Sequence, residues 1–383
     1  MLCYLDNAAT SFPKPRAVYD EVYKCMSRYC GNPGRGSHAL SLAAAKKIFE
    51  CRELVADLVG ISDPARIIFT YNTTYAINMV IKGVLKKGDH VIISDMEHNA
   101  VLRPIFKLAK SGLISYDVFP SLGSEKKSSP TLICAKIATL LKPNTKMIIC
   151  AHASNICSIT LPIKEIGEFC KKRSIFFLVD GAQSVGHYDI NVDDMNISAL
   201  CFPSHKGLYG PQGAGIIALG SGIAIDTLVE GGNGINSLEG DMPDFAPERY
   251  EAGTLATPTI AGLCEGVGFI KSFRKNEIAE YEKYLFSKAS SNILNIEGAS
   301  LYMPQYEGTV LLFNIDGVSS EKVALYLDSQ GICTRGGFHC AALAHKTLGT
   351  ESIGGVRLSF GVFNKPRDID QLSKALLRMK KEL

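Results

Sequence analysis

Leu178-Val-Asp-Gly-Ala-Gln-Ser184, followed by Pro203-Ser-His-Lys-Gly-Leu-Tyr-Gly-Pro-Gln-Gly213, is the part of this sequence on which the fold turns. An apolar run that closes on an acid reads as a buried strand carrying Asp180 to its carboxyl end, and the Gly-Ala-Gln that follows turns the chain. Lys206 then stands among small, turn-forming residues.

Working outward, short apolar runs alternate with segments of helical length from about residue 66 to 220. Runs at 66–71, 90–94, 114–119, 146–150 and 175–180 read as strands, each bounded by Gly, Lys, Asp or Asn. Buried runs without strict alternation, separated by helices, point to a largely parallel sheet covered on both faces. Ahead of them, Leu42, Ala45, Phe49, Leu54, Val55, Leu58 and Val59 mark a helical stripe that stops at Gly60. After them comes a glycine-rich loop over 230–247, long enough to be functional in its own right. Two helical patterns follow, at about 257–275 and 277–292, then strands at 309–314 and 356–360. A closing helix carries Ile369, Leu372, Ala375, Leu376 and Met379 on one face. The expected organisation is a large α/β domain over 14–255 and a smaller α+β unit over 256–383, with 1–13 packing near the latter.

The 383 residues suit a large domain plus a smaller one, and the net charge of +3 gives no electrostatic footprint for nucleic acid. No apolar run is long enough to cross a membrane, and the N-terminus reaches Asp6 with no basic region before it, which argues against a signal peptide. A cytoplasmic protein is expected. The 12 cysteines form no Cys-x-x-Cys pair and are too dilute for a disulfide scaffold. Most read as reduced core thiols, Cys134, Cys150, Cys170, Cys201 and Cys264 among them, and Cys340 is the exception.

Asp180 and Lys206 together are what pyridoxal 5'-phosphate requires. A carboxylate against the pyridine nitrogen keeps the ring an electron sink, and an amine traps the aldehyde. Ligand-binding residues collect at the carboxyl ends of parallel strands, which puts further candidates at the same edge. Thr73 and Thr74, at a strand-to-helix junction, suit a phosphate. His98 could stack on the ring, and Asn155 and Gln183 could reach the phenolic oxygen. Ser204 and His205 flank Lys206 within reach of the phosphate.

With these residues in place, the sequence resembles the class V aminotransferase-type, fold-type I enzymes, and more narrowly the cysteine desulfurase and selenocysteine lyase family. The segments that carry the resemblance run in order from end to end. They are Tyr4-Leu-Asp-Asn-Ala-Ala-Thr10, Asn32-Pro-Gly-Arg-Gly-Ser-His38, Asn72-Thr-Thr-Tyr-Ala-Ile-Asn78, Glu97-His-Asn99, Ser154-Asn155, Val179-Asp-Gly-Ala-Gln183, Ser204-His-Lys206, Tyr250-Glu-Ala-Gly-Thr254, Arg335-Gly-Gly-Phe-His-Cys-Ala341 and Val356-Arg-Leu-Ser359. The resemblance implies a mostly parallel seven-stranded sheet flanked by helices, with Lys206 as the Schiff-base lysine and Asp180 facing the pyridine nitrogen. Gln183 would contact the phenolic oxygen, His98 would stack on the ring, and Thr74 and His205 would help hold the phosphate. Asn155 and Arg35 would lie near the substrate, and Arg357 would pair with its α-carboxylate. Gly253 and Thr254 would reach the phosphate of a neighbouring subunit, which implies a homodimer with shared active sites.

Cys340 decides the reaction that the resemblance implies: its thiolate would take sulfur from L-cysteine as a persulfide, releasing alanine, and pass it to an acceptor protein. Arg335 and His339 place positive charge near it, which favours the thiolate, and the thiol sits on a short loop. A metal site at His339, Cys340 and His345 lacks a fourth ligand in the local spacing. Selenocysteine lyase activity would use the same residues, and an aminotransferase or epimerase would leave Cys340 without a role. Pro203 stands where many relatives carry a serine for the phosphate, Gly207 adds a residue after the lysine, and the stretch 255–258 also departs from the family pattern; on this loop Ser204 is assigned to the phosphate.

Overall fold

The computed structural model describes residues 2–34, 36–123, 129–235, 237–274 and 276–382. The runs marked in the sequence become strands Ile67–Thr70, His90–Ser94, Ser115–Phe119, Thr145–Ala151 and Phe176–Asp180. Two more, Ala199–Pro203 and Gly215–Leu219, complete a seven-stranded sheet. No helix separates either of them from the strand before it, so the alternation of apolar runs with helical segments that marks the others is missing here.

Across the sheet the order is Ile67–Thr70, Gly215–Leu219, Ala199–Pro203, Phe176–Asp180, Thr145–Ala151, His90–Ser94, Ser115–Phe119. Gly215–Leu219 is antiparallel to both neighbours, and the other pairings are parallel. Both faces are dry. Ile67, Phe69, Ile92, Ile148 and Phe177 enter one core, whereas Ile68, Val91, Ile93, Ile149 and Leu178 enter the other. Successive side chains point to opposite faces, so a strand buried on both sides must be apolar throughout. The carboxyl ends of Ile67–Thr70, His90–Ser94, Thr145–Ala151, Phe176–Asp180 and Ala199–Pro203 share one edge.

A four-stranded antiparallel sheet, ordered Arg335–Gly337, Gly355–Ser359, Val310–Ile315, Ala299–Tyr302, forms the second unit. Strand Cys3–Tyr4 pairs in parallel with Ile332–Cys333, and Cys3 and Leu5 enter the core of this unit. The division expected at 255/256 falls ahead of helix Thr257–Lys271, which packs instead into the large core through Ile260, Leu263, Cys264, Val267 and Ile270. The second core takes over at Leu285, inside helix Glu277–Leu294. An apolar stripe says that a helix has a buried face, not which body buries it.

Two sequence expectations shift in detail. Helix Ala39–Leu58 buries Ala44, Ile48, Cys51 and Val55, while Leu42 and Phe49 of the expected stripe are exposed. Cys134 and Cys333 are half-buried and Cys30 and Cys340 exposed, the remaining cysteines being buried. Helix Pro130–Thr139 turns Ile133 and Ile137 inward and leaves Cys134 at the margin.

The segment Tyr250-Glu-Ala-Gly-Thr254 is tied to the large sheet by a buried ion pair. Glu251 accepts from both Arg52 terminal nitrogens at 2.8 and 2.9 Å and from the Phe69 backbone N–H at 2.7 Å. Replacing Glu251 by Ala leaves the Arg52 guanidinium buried without its carboxylate, and the expected loss of stability is about 3–5 kcal/mol. Thermal melts of Glu251→Ala against the parent check this.

Candidate active site

The shared strand edge opens on a cavity of about 390 Å³. Thr73, Thr74, His98, Asn155, Asp180, Gln183, His205, Lys206, Arg335, Cys340 and Arg357 all line it. Among the described residues, three sequence candidates are not in that lining. Ser204 is fully buried beneath the loop, its hydroxyl donating to the Pro211 carbonyl, so it has no free hydrogen for a phosphate. Gly253 and Thr254 line two other clefts of this chain. Arg35 lies outside the described residues.

Lys206 and Asp180 are held in dry surroundings. Burial pulls the lysine down to about 8, partly opposed by the Asp180 charge. Burial pushes the Asp180 carboxyl up, opposed by the Ala182 N–H that donates to it at 2.9 Å and by Lys206. Glu97 lies deeper, accepting from Ser94 Oγ and, at 2.7 Å, from the Ala151 N–H, and burial raises its carboxyl to about 8. The Asp180 charge adds to that rise.

His98 caps helix Asn99–Lys110, its Nδ1 accepting from the Ala100 N–H at 3.0 Å. That bond assigns the ring proton to Nε2 and fixes the plane of the imidazole. Burial lowers His98 to about 4, so the ring is neutral. At the neighbouring helix, Thr73–Val84, the cap is Asn72, whose side chain accepts from the Tyr75 N–H at 2.9 Å. Thr73 and Thr74 are therefore not needed to cap the helix, and Thr73 Oγ1 is buried with no hydrogen-bond partner.

On the opposite wall Asp6 joins the two arginines. It accepts from Arg335 at 2.9 and 3.1 Å through one oxygen and from Arg357 Nη2 at 2.8 Å through the other. Arg357 also donates to the Asn155 carbonyl at 3.0 Å, and the Asn155 amide donates to the His339 carbonyl at 2.7 Å. Gln183 donates to the Ala8 carbonyl at 2.9 Å. The expected positive charge beside Cys340 is thus redistributed. Arg335 is paired with Asp6, and His339 is held near 3 by burial, so its ring is neutral.

His339 and Cys340 both adopt left-handed backbone, with φ of 50° and 57°. Two successive non-glycine residues in that region store about 1–3 kcal/mol each, a cost found at functional sites. The Asn99 N–H donating to the Cys340 carbonyl at 2.8 Å, with Asn155 on the residue before, holds the pair in place. Cys340 is exposed at the cavity wall. Among the described residues no cluster of three His, Cys, Asp or Glu could hold a metal ion. The His339 ring stacks on His345 instead, with centroids 5.7 Å apart.

The lining fits pyridoxal phosphate. Thr73 Oγ1, His205 Nδ1 and Arg357 Nε are buried polar atoms without a partner, at separate points of one cavity that also holds the amine and the carboxyl. Native structures leave few such atoms without a ligand or water to satisfy them.

The sequence matches the aminotransferase class-V family over residues 3–372. This chain belongs to that family. It is 31% identical over 382 residues to a probable cysteine desulfurase of Methanothermobacter thermautotrophicus, covering 97% of this chain and 93% of the relative. A cysteine desulfurase of Wigglesworthia glossinidia brevipalpis is 31% identical over 393 residues, covering 100% of this chain and 93% of the relative. Among solved structures, the apo cysteine desulfurase of Thermococcus onnurineus superposes with a TM-score of 0.90 at 29% identity, covering 100% of this chain and 95% of that one. The Escherichia coli cysteine desulfurase CsdA, in an S-sulfonic acid form, gives 0.87 at 26%, covering 100% and 95%. The mostly parallel seven-stranded sheet flanked by helices is thus the fold-type I architecture that the motifs implied.

Sequence reading missed Asp6 and Glu97 as parts of the site. Both lie in quoted motifs, yet nothing in the spacing says that Asp6 bridges two arginines more than 300 residues away. Glu97 generates a pH prediction for the family fold. Its carboxyl sits near 8 in the folded chain, against roughly 4.3 unfolded, so the folded state binds the extra proton between those values. Its contribution to stability therefore falls as pH rises from about 4.3 to about 8. Glu97→Gln keeps the accepting oxygen and removes the titration. Melting temperatures at pH 5 and pH 8 should fall less across that interval in the variant than in the parent.

Proposed function

We propose that this protein is a pyridoxal phosphate-dependent cysteine desulfurase that moves sulfur from L-cysteine to Cys340 and on to an acceptor protein. The observation that carries this reading is the convergence of Lys206, Asp180, Arg357 and Cys340 on one cavity. An amine, a pyridine-nitrogen partner, a carboxylate receptor and a nucleophilic sulfur have no common structural purpose there. The names of the relatives support the same reading.

Bound in this cavity, pyridoxal phosphate would supply an aldehyde for the substrate amine and an electron sink for the α-carbon. Asp180 would face the pyridine nitrogen, His98 would lie against the ring, and Thr73, Thr74 and His205 would hold the phosphate. Gln183 would reach the phenolic oxygen with the amide hydrogen that it does not give to Ala8. A lysine near 8 is suited to moving a proton at neutral pH, since the best acid–base groups titrate close to the working pH. Arg357 would take the substrate carboxylate through Nε, the nitrogen that neither Asp6 nor Asn155 occupies. The Cys340 sulfur would then bond to the substrate sulfur. As the substrate's carbon–sulfur bond breaks, its electron pair stays with the carbon skeleton, which leaves as alanine after protonation.

A homodimer completes the reading. Tyr23, Met26, Leu42 and Phe49 are exposed apolar side chains on the outer faces of helices 16–24 and 39–58 and the turn after the first. A second copy would cover them, and Gly253 and Thr254, which miss this chain's cavity, would serve the partner's phosphate. No described helix is long and apolar enough to cross a membrane, and we place the enzyme in the cytoplasm.

Purified protein loaded with pyridoxal phosphate and treated with L-cysteine should release alanine and gain one sulfur atom on Cys340 by peptide mass spectrometry. Cys340→Ala should lose alanine formation under single-turnover conditions, with the cofactor still bound. Alanine released only from selenocysteine would replace this reading by a selenocysteine lyase. Lys206→Ala should leave a protein that borohydride cannot link to the cofactor.

A further inference from the structure

Lys14 is half-buried and stands outside the cavity, yet it grips the backbone that carries Lys206. Its Nζ donates to the His205 carbonyl at 2.9 Å and to Ser11 Oγ at 2.7 Å. Ser11 Oγ passes the contact on, donating to the Lys206 carbonyl at 3.0 Å. The Ser11 N–H and Thr10 Oγ1 also donate to the His205 carbonyl, at 2.9 and 3.1 Å. The carbonyls on both sides of the 206–207 turn are therefore fastened to residues 10–14, and the charged end of that fastening is Lys14.

Burial of an ammonium is costly unless something compensates it. Burial alone lowers Lys14, to about 8, with no carboxylate among the causes. An amine kept there for an ion pair would face an acid, whereas this one faces a carbonyl and a hydroxyl. Its stem lies in an apolar groove with Tyr19, Val22 and Pro211, which aims the head group at the 205–206 peptide. The Lys14 charge also helps to keep His205 neutral, and the His205 Nδ1 is buried without a partner.

We propose that Lys14 is a positioning residue for Lys206: through the His205 carbonyl and the Ser11 hydroxyl it fixes the backbone from which the reactive amine projects. The role of Lys206 rests on the function proposed above, while the fastening itself does not. A charged hydrogen bond to a carbonyl is worth enough to matter at this distance from the chemistry. Misplacing a reacting group by a fraction of an ångström slows a reaction without preventing substrate from binding.

The test uses Lys14→Met and Lys14→Arg in the full chain. In apoprotein Lys14→Met, the Ser11 and Tyr209 amides, which donate to the His205 and Lys206 carbonyls, should exchange hydrogen about tenfold faster. Capture of added pyridoxal phosphate, followed by the yellow absorption band, should slow by about the same factor. With L-cysteine, kcat should fall while KM changes less than about twofold. Lys14→Arg, which keeps the charge, should recover most of the capture rate. Parent-like exchange and capture in Lys14→Met overturn the proposal. Should Lys14→Met not fold, Ser11→Ala breaks the relay to Lys206 alone, and the same two readouts decide. A parent protein that takes up no pyridoxal phosphate sinks the proposed function instead, and amide exchange still decides whether Lys14 fastens this backbone.

Discussion

The site depends on keeping one amine and one carboxyl of opposite charge in a dry place. Asp180 is buried and Lys206 half-buried, and desolvation disfavours the charge on each. Each offsets part of the other's penalty, so the lysine is poised near 8 rather than silenced. The sheet makes this arrangement possible because both of its faces are packed by apolar side chains and its carboxyl edge carries the polar groups of the cavity. Six of the seven strands end at that edge, and the segments after five of them line the cavity together with Ala8–Thr10 and residues 335–357 of the second unit.

A second layer of constraint comes from the other end of the chain. Residues 3–14 run from the small sheet to the loop of Lys206, and along the way they meet several polar features of the site. Asp6 holds Arg335 and Arg357, Ala8 takes the Gln183 amide, and Thr10, Ser11 and Lys14 gather on the His205 carbonyl. The N-terminal segment acts as a tie between the two cores. Its strand at Cys3–Tyr4 is only two residues long, so these side-chain contacts add to a short backbone ladder in holding it.

The wall that carries Cys340 follows a different logic. Lys206 is half-buried in the cavity, while Cys340 is exposed and sits in strained left-handed backbone secured by Asn99 and Asn155. That combination suits the proposed role, in which the thiol would meet a substrate on one side and an acceptor protein on the other. The neutral His339 and the paired Arg335 show that sequence proximity of basic residues does not amount to local charge: Arg335 is drawn to Asp6 across the chain.

The sequence alone determined that Asp180 ends a buried strand and that Lys206 follows in a turn, because a doubly buried strand must be apolar throughout and a turn must be built of small residues. It also placed Thr73, His98 and Asn155 at one edge, since parallel strands put their carboxyl ends together. Tertiary structure decided the rest. Strand Ala199–Pro203 has no helix directly before or after it to mark it out, and the stripe of helix Thr257–Lys271 does not name the core that receives it. Ser204 turns under its loop, and Asp6 reaches two arginines, through contacts between segments far apart in the chain. Such contacts have no periodic trace in the sequence, because the geometry that creates them exists only after both cores have closed.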